Sequence, residues 1–249
     1  MDADWLKMLE IEEIIKPADQ GRTRPFLCNA SDGHAYYVKG YAASVAGLIK
    51  EWLGAHLALA FGLPVPPFQI AFLDNRLVDS YGGEAVSELK GGYVFASKQV
   101  SSVTELKFET VKKIDVQLKL SVLIFDLWVE NADRTLTEKG GNPNLLWKSD
   151  ESGLYVIDHN LIFDDEFNKV DFWDTHVFKS VLINKQDDVV EKIDFEVRMK
   201  KTLACWQSAW SKIPLEWIEI NDDTQCFDSE KHLNRLSNEA NGDIWLKLP

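Results

Sequence analysis

The sequence predicts an α+β fold in two parts. A β-rich stretch with one helix covers the first hundred residues, and a mainly helical stretch follows. Three observations predict it. Two β-prone runs, Phe26–Ala30 and Ala35–Lys39, flank the turn Ser31-Asp32-Gly33-His34. One broad apolar stripe covers residues 44–61. From residue 111 onward, apolar positions recur at helical spacing over long segments. The character changes between residues 97 and 110, so the expected division is 1–100 and 101–249.

Taken in order, Trp5, Leu6, Leu9, Ile11, Ile14 and Ile15 suit either a short helix or an extended lead-in. Gly21-Arg22-Thr23-Arg24-Pro25 reads as a turn before the first hairpin. The stripe Val45, Leu48, Ile49, Trp52, Leu53, His56, Leu57 and Phe61 makes 44–61 a helix. Gly62 stops it, and Pro64, Pro66 and Pro67 keep it stopped. Phe68–Leu73 and Arg76–Asp79 flank Asp74-Asn75 and read as a second hairpin, and Tyr93–Ala96 as a further short strand. Residues 111–130 form a long apolar helix, largely buried. Leu145–Trp147 and Leu154–Ile157 are short strands around the turn 148–153, and residues 184–211 and 229–247 are helical.

The bulk numbers mostly exclude. A chain of 249 residues that is 45% hydrophobic and 27% charged is ordinary for a soluble globular protein. A net charge of -13 argues against a nucleic-acid binder, which needs a basic footprint, and against docking on anionic lipid. The three cysteines, Cys28, Cys205 and Cys226, are far apart and show no metal-binding spacing, so the expected setting is a reducing cytoplasm. The acidic N-terminus does not read as a signal peptide, and no apolar run approaches a membrane span.

The residues that carry chemistry lie in Asp133-Arg134-Thr135, Asn142-Pro143-Asn144-Leu145-Leu146 and Val156-Ile157-Asp158-His159. An Asp after a buried helix, an Asn before an apolar pair and an Asp ending an apolar run supply a proton acceptor and two hard oxygen ligands for Mg²⁺. That is a phosphoryl-transfer layout. Asn142 competes with Asn144; Asn144 is favoured because it directly precedes the strand. Upstream, Lys39 ends a strand and Glu51 lies in the next helix amid apolar neighbours. Alone, each reads as a solvated surface charge; together they match a lysine–glutamate pair that serves nucleotide phosphates. The turn at Gly21, Arg22 and Thr23 could bring backbone N–H groups and a guanidinium to the same phosphates.

In these residues and their order the chain resembles the HipA-like kinase family. The resemblance spans residues 18–165 and rests on Gly21-Arg22-Thr23-Arg24-Pro25, Val38-Lys39-Gly40, Glu51 with Phe61-Gly62-Leu63-Pro64-Val65-Pro66, Asn131-Ala132-Asp133-Arg134-Thr135, Asn142-Pro143-Asn144-Leu145-Leu146 and Ile157-Asp158-His159. It implies a two-lobed kinase-like fold, with residues 1–100 as the nucleotide-binding lobe and 101–249 as the catalytic lobe. It further implies ATP and Mg²⁺, with transfer to a Ser or Thr of a protein. Lys39 would hold phosphates, Glu51 would position it, and Asp133 would be the catalytic Asp. Asn144 and Asp158 would hold the metal, with Asn142 as the alternative. A regulatory protein partner remains open.

Two departures matter. Leu136–Gly141 lengthens the loop beyond the Asp-x-x-x-x-Asn spacing of kinases. The chain is also shorter than the family's toxins, so a toxin role and a DNA-binding antitoxin do not carry over. Two rivals stay open: a nucleotide-binding module without transfer, which the acidic surface and the lengthened loop fit equally well, and nucleotidyl transfer on the same fold.

Overall fold

The computed structural model describes residues 8–18, 25–148, 153–182, 189–224 and 227–249. In chain order the elements of the first half are β1 (Leu9–Pro17), β2 (Phe26–Ala30), β3 (Ala35–Lys39), α1 (Val45–Ala60), β4 (Phe68–Leu73), α2 (Asn75–Tyr81), α3 (Glu84–Glu88), β5 (Gly92–Lys98) and β6 (Thr104–Glu105). Then come α4 (Val116–Val129), β7 (Leu145–Lys148), β8 (Gly153–Val156), α5 (Lys169–Thr175), α6 (Val189–Leu203), α7 (Trp206–Trp210), α8 (Leu215–Thr224) and α9 (Ser229–Ala240). This is a mixed α/β fold. It divides into two compact units, one of residues 1–49, 66–101 and 214–226, the other of residues 50–65, 102–213 and 227–249.

The first unit is built on a closed barrel, ordered β1-β2-β3-β5-β4. The Asp32-Gly33 turn makes the β2–β3 hairpin as expected. Gly33 takes φ +77° and Asp32 Oδ1 accepts the His34 N–H at 3.1 Å. β1 resolves the open choice at the N-terminus in favour of extended chain. It pairs antiparallel with β2 on one side and parallel with β4 on the other, which closes the barrel. Side chains alternate along the strands, so Ile11, Ile14, Phe26, Cys28, Tyr36, Val38, Ala71, Leu73, Val94 and Ala96 fill the interior. Burial pushes the Cys28 thiol up to about 12, far from a reactive thiolate.

The second predicted hairpin is half wrong. Arg76–Asp79 lies in α2, not in a strand, and Asp74 is its N-cap, accepting from Arg76 N at 2.8 Å. An Asp-Asn pair between apolar runs suits a helix cap as well as a turn, because both use the same side chain-to-backbone bond. α8 belongs to the same unit. Trp217 is fully buried and its Nε1 donates to Tyr93 O at 3.3 Å, while the Tyr41 hydroxyl donates to Glu216 Oε1 at 2.6 Å.

The second unit centres on α4. The helix predicted over 111–130 is divided: Phe108–Lys113 is a 3₁₀ turn, and Asp115 then caps α4 by accepting from Gln117 N and Leu118 N. Helix α9 packs against α4 and α6 against α9, and Arg198 of α6 donates to Ser121 Oγ of α4 at 2.8 Å; β6, β7 and β8 form a three-stranded sheet in the same unit. The C-terminal helical stretches are likewise shorter than read: α6 and α7 within 184–211, and α9 plus a 3₁₀ turn at Asp243–Lys247 within 229–247. Among the described residues, no helix is long and apolar enough to cross a membrane.

A close approach in the first unit gives a test of this packing. A methyl on Gly40 would stand 2.2 Å from the Leu89 carbonyl oxygen, which is backbone and cannot swing aside. Gly40→Ala should therefore destabilise the protein by about 1–3 kcal/mol, the usual range for overpacking. Urea unfolding would measure it, and an unchanged midpoint would contradict the predicted clash.

Candidate active site

The site begins with a charge in an apolar helix. In α4 every residue from Leu120 to Val129 is buried, and one of them is Asp126. A buried carboxylate needs partners. Arg134 supplies the first, its Nε 2.7 Å from Asp126 Oδ2 with both side chains fully buried. His176 Nε2 meets the same oxygen at 3.0 Å, and Asn131 Nδ2 donates to Oδ1 at 2.9 Å. Phe178 N donates to His176 Nδ1 at 3.1 Å, so the imidazole is neutral and gives its Nε2 hydrogen to Asp126. Burial works to raise Asp126, but the Arg134 charge and the hydrogen bonds from His176 and Arg134 outweigh it and hold the carboxyl below its usual range. Burial pushes His176 below the ordinary imidazole value, against the pull of Asp126.

With Nε on Asp126, the guanidinium has donors left for the loops around it. Arg134 Nη1 donates to Asn144 O at 2.6 Å, and to Pro143 O and Ile157 O at 3.3 Å each. One side chain thus ties the helix exit to the two segments that carry Asn144 and Asp158. The β7–β8 pairing does the same through the backbone: Leu145 faces Val156, and Ile157 N donates to Asn144 O at 3.1 Å. Asn144 and Asp158 therefore leave the same end of one hairpin. Both have left-handed backbone, φ +48° and +60°, a conformation that Asn and Asp adopt more readily than most residues.

Asp133 sits between the asparagines. Asn142 Nδ2 and Asn144 Nδ2 each donate to Asp133 Oδ2 at 2.8 Å. No hydrogen bond from the described residues reaches the other oxygen, Oδ1. Committing each amide nitrogen to Asp133 leaves each amide oxygen as the free donor atom for a cation. Burial raises the Asp133 pKa, with the Asp158 charge adding to it, against the lowering effect of Asn144, Arg134 and Asn142. The carboxylate is a better proton acceptor for that.

The lengthened loop has a compact explanation. Thr135 N donates to Asn142 O at 2.9 Å and Asn142 N to Thr135 Oγ1 at 3.2 Å. Farther out, Thr137 and Gly140 exchange both backbone bonds at 3.0 Å. Leu136–Gly141 is thus a small hairpin that leaves the chain and returns to where it left. Without it the chain reads Asp133-Arg134-Thr135-Asn142-Pro143-Asn144, which is the Asp-x-x-x-x-Asn spacing.

Of the other residues picked out in the sequence, Glu51 is buried and its Oε1 accepts the His159 N–H at 3.0 Å, next to Asp158. Lys39 lies in the first unit at the end of β3, opposite Phe95 of β5, and is only 8% exposed although it falls on the outer face of the barrel. Gly21, Arg22 and Thr23 lie outside the described residues. Sequence reasoning gave no role to Asp126, Arg134 or His176. The available signal was Asp126 itself, a lone carboxylate in the run Leu123-Ile124-Phe125-Asp126-Leu127-Trp128 with a guanidinium eight residues on.

A half-buried Asp held by two carboxamides, with Asp158 leaving the same hairpin end as Asn144, is a residue set that suits phosphoryl transfer. The sequence profile of the HipA-like kinase family matches residues 11–248, and the chain belongs to that family. None of the curated proteins matches it. Among solved structures it is similar to a Helicobacter pylori proinflammatory kinase, CtkA, at TM-score 0.45 and 13% identity, over 92% of this chain and 90% of that one. It is also similar to the open conformation of CtTel1 (TM-score 0.31, 11% identity, 89% of this chain and 11% of that one). The FAT and kinase domain of CtTel1 gives TM-score 0.32 and 13% identity, over 91% and 21%.

Two expectations follow from this geometry. Replacing the exposed hairpin tip Thr137–Gly140 by Asn-Gly should leave unfolding free energy within about 1 kcal/mol of wild type, because the turn closes outside the core. A larger fall in urea titration would mean that the tip is part of it. The second concerns pH. Burial lowers His176, and it lowers His56 and His232 to about 4. Unfolding lets all three take protons near the ordinary value of about 6.5, so stability is full above that and declines on acidification. Urea unfolding should show a lower free energy at about pH 5 than at about pH 7; a flat profile would contradict the buried neutral imidazoles.

Proposed function

We propose that the chain is an ATP- and Mg²⁺-dependent kinase that phosphorylates a Ser or Thr hydroxyl of a protein, itself included, in the cytoplasm. The observation that carries this reading is the state of Asp133. One oxygen is held by two carboxamides, the other has no hydrogen bond among the described residues, and burial raises its proton affinity.

On this reading Asp133 Oδ1 receives the hydroxyl proton as the hydroxyl oxygen bonds to the γ-phosphorus and the bond to the β-phosphate bridging oxygen breaks, releasing ADP. The donor set suits magnesium. Asn144 and Asp158 offer a carboxamide and a carboxylate oxygen, both hard ligands, and Mg²⁺ takes only one or two carboxylates along with phosphates and water. When bound, it neutralises charge on the β- and γ-phosphates. Asn144 is the preferred amide ligand, since its carbonyl is held by Arg134 and Ile157 whereas Asn142 belongs to the foot of the hairpin. Lys39 is assigned to the phosphates, Glu51 to positioning, and the turn at Gly21, Arg22 and Thr23 to the nucleotide. Residues 1–100 act as the nucleotide-binding lobe and 101–249 as the catalytic lobe of a two-lobed kinase.

The test is transfer of labelled γ-phosphate to the chain or to a general protein substrate, with intact mass to tell phosphate from nucleotide. Mg²⁺ removal should abolish transfer. Asp133→Ala should slow it by about 10²–10⁴-fold, the usual contribution of a general base, while ATP still raises Tm. Transfer that survives Asp133→Ala would overturn the role of Asp133, and added nucleotide mass would overturn phosphoryl transfer.

A further inference from the structure

Helix α1 grips the chain just after Asp158 at two successive turns. At the first, Glu51 Oε1 accepts the His159 N–H at 3.0 Å and lies 3.6 Å from His159 Nδ1. At the second stands Gly54, three residues on and so on the same face. A methyl built on Gly54 would be 2.5 Å from His159 Cβ, 3.2 Å from its Cγ and 2.8 Å from Ile162 Cδ1. The end of Ile162 can turn away. The Cβ of His159 moves only with its backbone.

Glycine in the middle of a helix costs about 1 kcal/mol relative to alanine, and close approach of another chain is a reason to accept that cost. The seat is closed from another side by Phe125 of α4, whose ring meets the imidazole edge-on with centroids 6.4 Å apart. His159 is 1% exposed. Ahead of Asp158, Val156 N donates to Pro64 O at 2.8 Å. The residue with left-handed backbone is thus held on both sides by α1 and the turn that follows it.

We infer that Gly54 and His159 are positioning residues for Asp158. The imidazole, seated where α1 carries no side chain, sets the direction in which the Asp158 carboxylate leaves the chain, and through it the hold on the divalent cation that accompanies ATP. The inference rests on the kinase reading above. It adds that α1, not only the β7–β8 hairpin, decides whether the metal ligand is in place.

The test uses the full chain with Mn²⁺ and ATP. Bound Mn²⁺ is read by electron paramagnetic resonance, and Tm is measured without nucleotide. Gly54→Ala and His159→Gly should each weaken Mn²⁺ affinity by about tenfold or more, the loss common when a group that orients a metal ligand is removed. His159→Phe keeps a ring in the seat and should stay close to wild type. A merely structural role would lower Tm and leave Mn²⁺ affinity of the folded protein unchanged. Where Gly54→Ala does not fold, the double variant Gly54→Ala/His159→Gly has room for the methyl and should fold again with weakened Mn²⁺ binding; a double variant no more stable than the single overturns the seat. Wild-type affinity in both single variants overturns the inference and leaves the kinase reading standing. A wild-type chain that holds no Mn²⁺ with ATP overturns both.

Discussion

Everything around the site depends on the ion pair between Asp126 and Arg134. It lies where water does not reach, so neither partner can be removed cheaply: an orphaned buried charge costs about 3–5 kcal/mol. Against a well-packed apolar pair its net stabilisation is close to nothing. What it contributes is geometry. Arg134 follows Asp133 directly, and its guanidinium reaches the carbonyls of Pro143, Asn144 and Ile157. Anchoring that one side chain at the end of α4 fixes two loop segments, 9 and 23 residues farther along the chain. His176 and Asn131 complete the shell of Asp126, so the carboxylate is fully occupied and has a single orientation.

The hairpin at Leu136–Gly141 shows why spacing in sequence and spacing in space are different constraints. The hydrogen bond needs Asp133 and the Asn144 amide to meet; it does not need only four residues between them. A chain that exits and re-enters at paired positions adds length without adding distance. Thr135 serves both sides of that junction, with its backbone N–H on Asn142 O and its hydroxyl receiving the Asn142 N–H. Gly141 is part of the same device: a side chain there would strike the Thr135 carbonyl at 2.5 Å, and its φ of +158° lies where few other residues go.

Much of the local structure was legible because it is locally caused. The β2–β3 turn announces itself in Asp32-Gly33, the end of α1 in Gly62 and Pro64, and the β7–β8 strands in their apolar runs. Arg76–Asp79 was misread because an Asx residue caps and turns by the same hydrogen bond. Barrel closure was not legible, since the parallel pairing of Leu9–Ile11 with Ala71–Leu73 leaves no mark in either strand. In the site, Asp133, Asn142, Asn144 and Asp158 were named from their types and order. Those that hold them were not. Arg134 was quoted only as part of a motif and His176 not at all, yet both act through contacts made across 8 and 50 residues of chain.

The placement of α8 bears on how such a chain comes off the ribosome. The barrel strands are all made by Lys98, but Trp217, which closes over Tyr93, is synthesised more than a hundred residues later. Until then the nascent barrel unit carries an unfilled slot where a fully buried indole belongs, and a Tyr41 hydroxyl whose acceptor, Glu216, does not yet exist. Completing this unit therefore waits until α8 has been made, a long-range closure of the kind that is intrinsically slow. The segment that performs it follows residues 102–213, the longest stretch of the other unit.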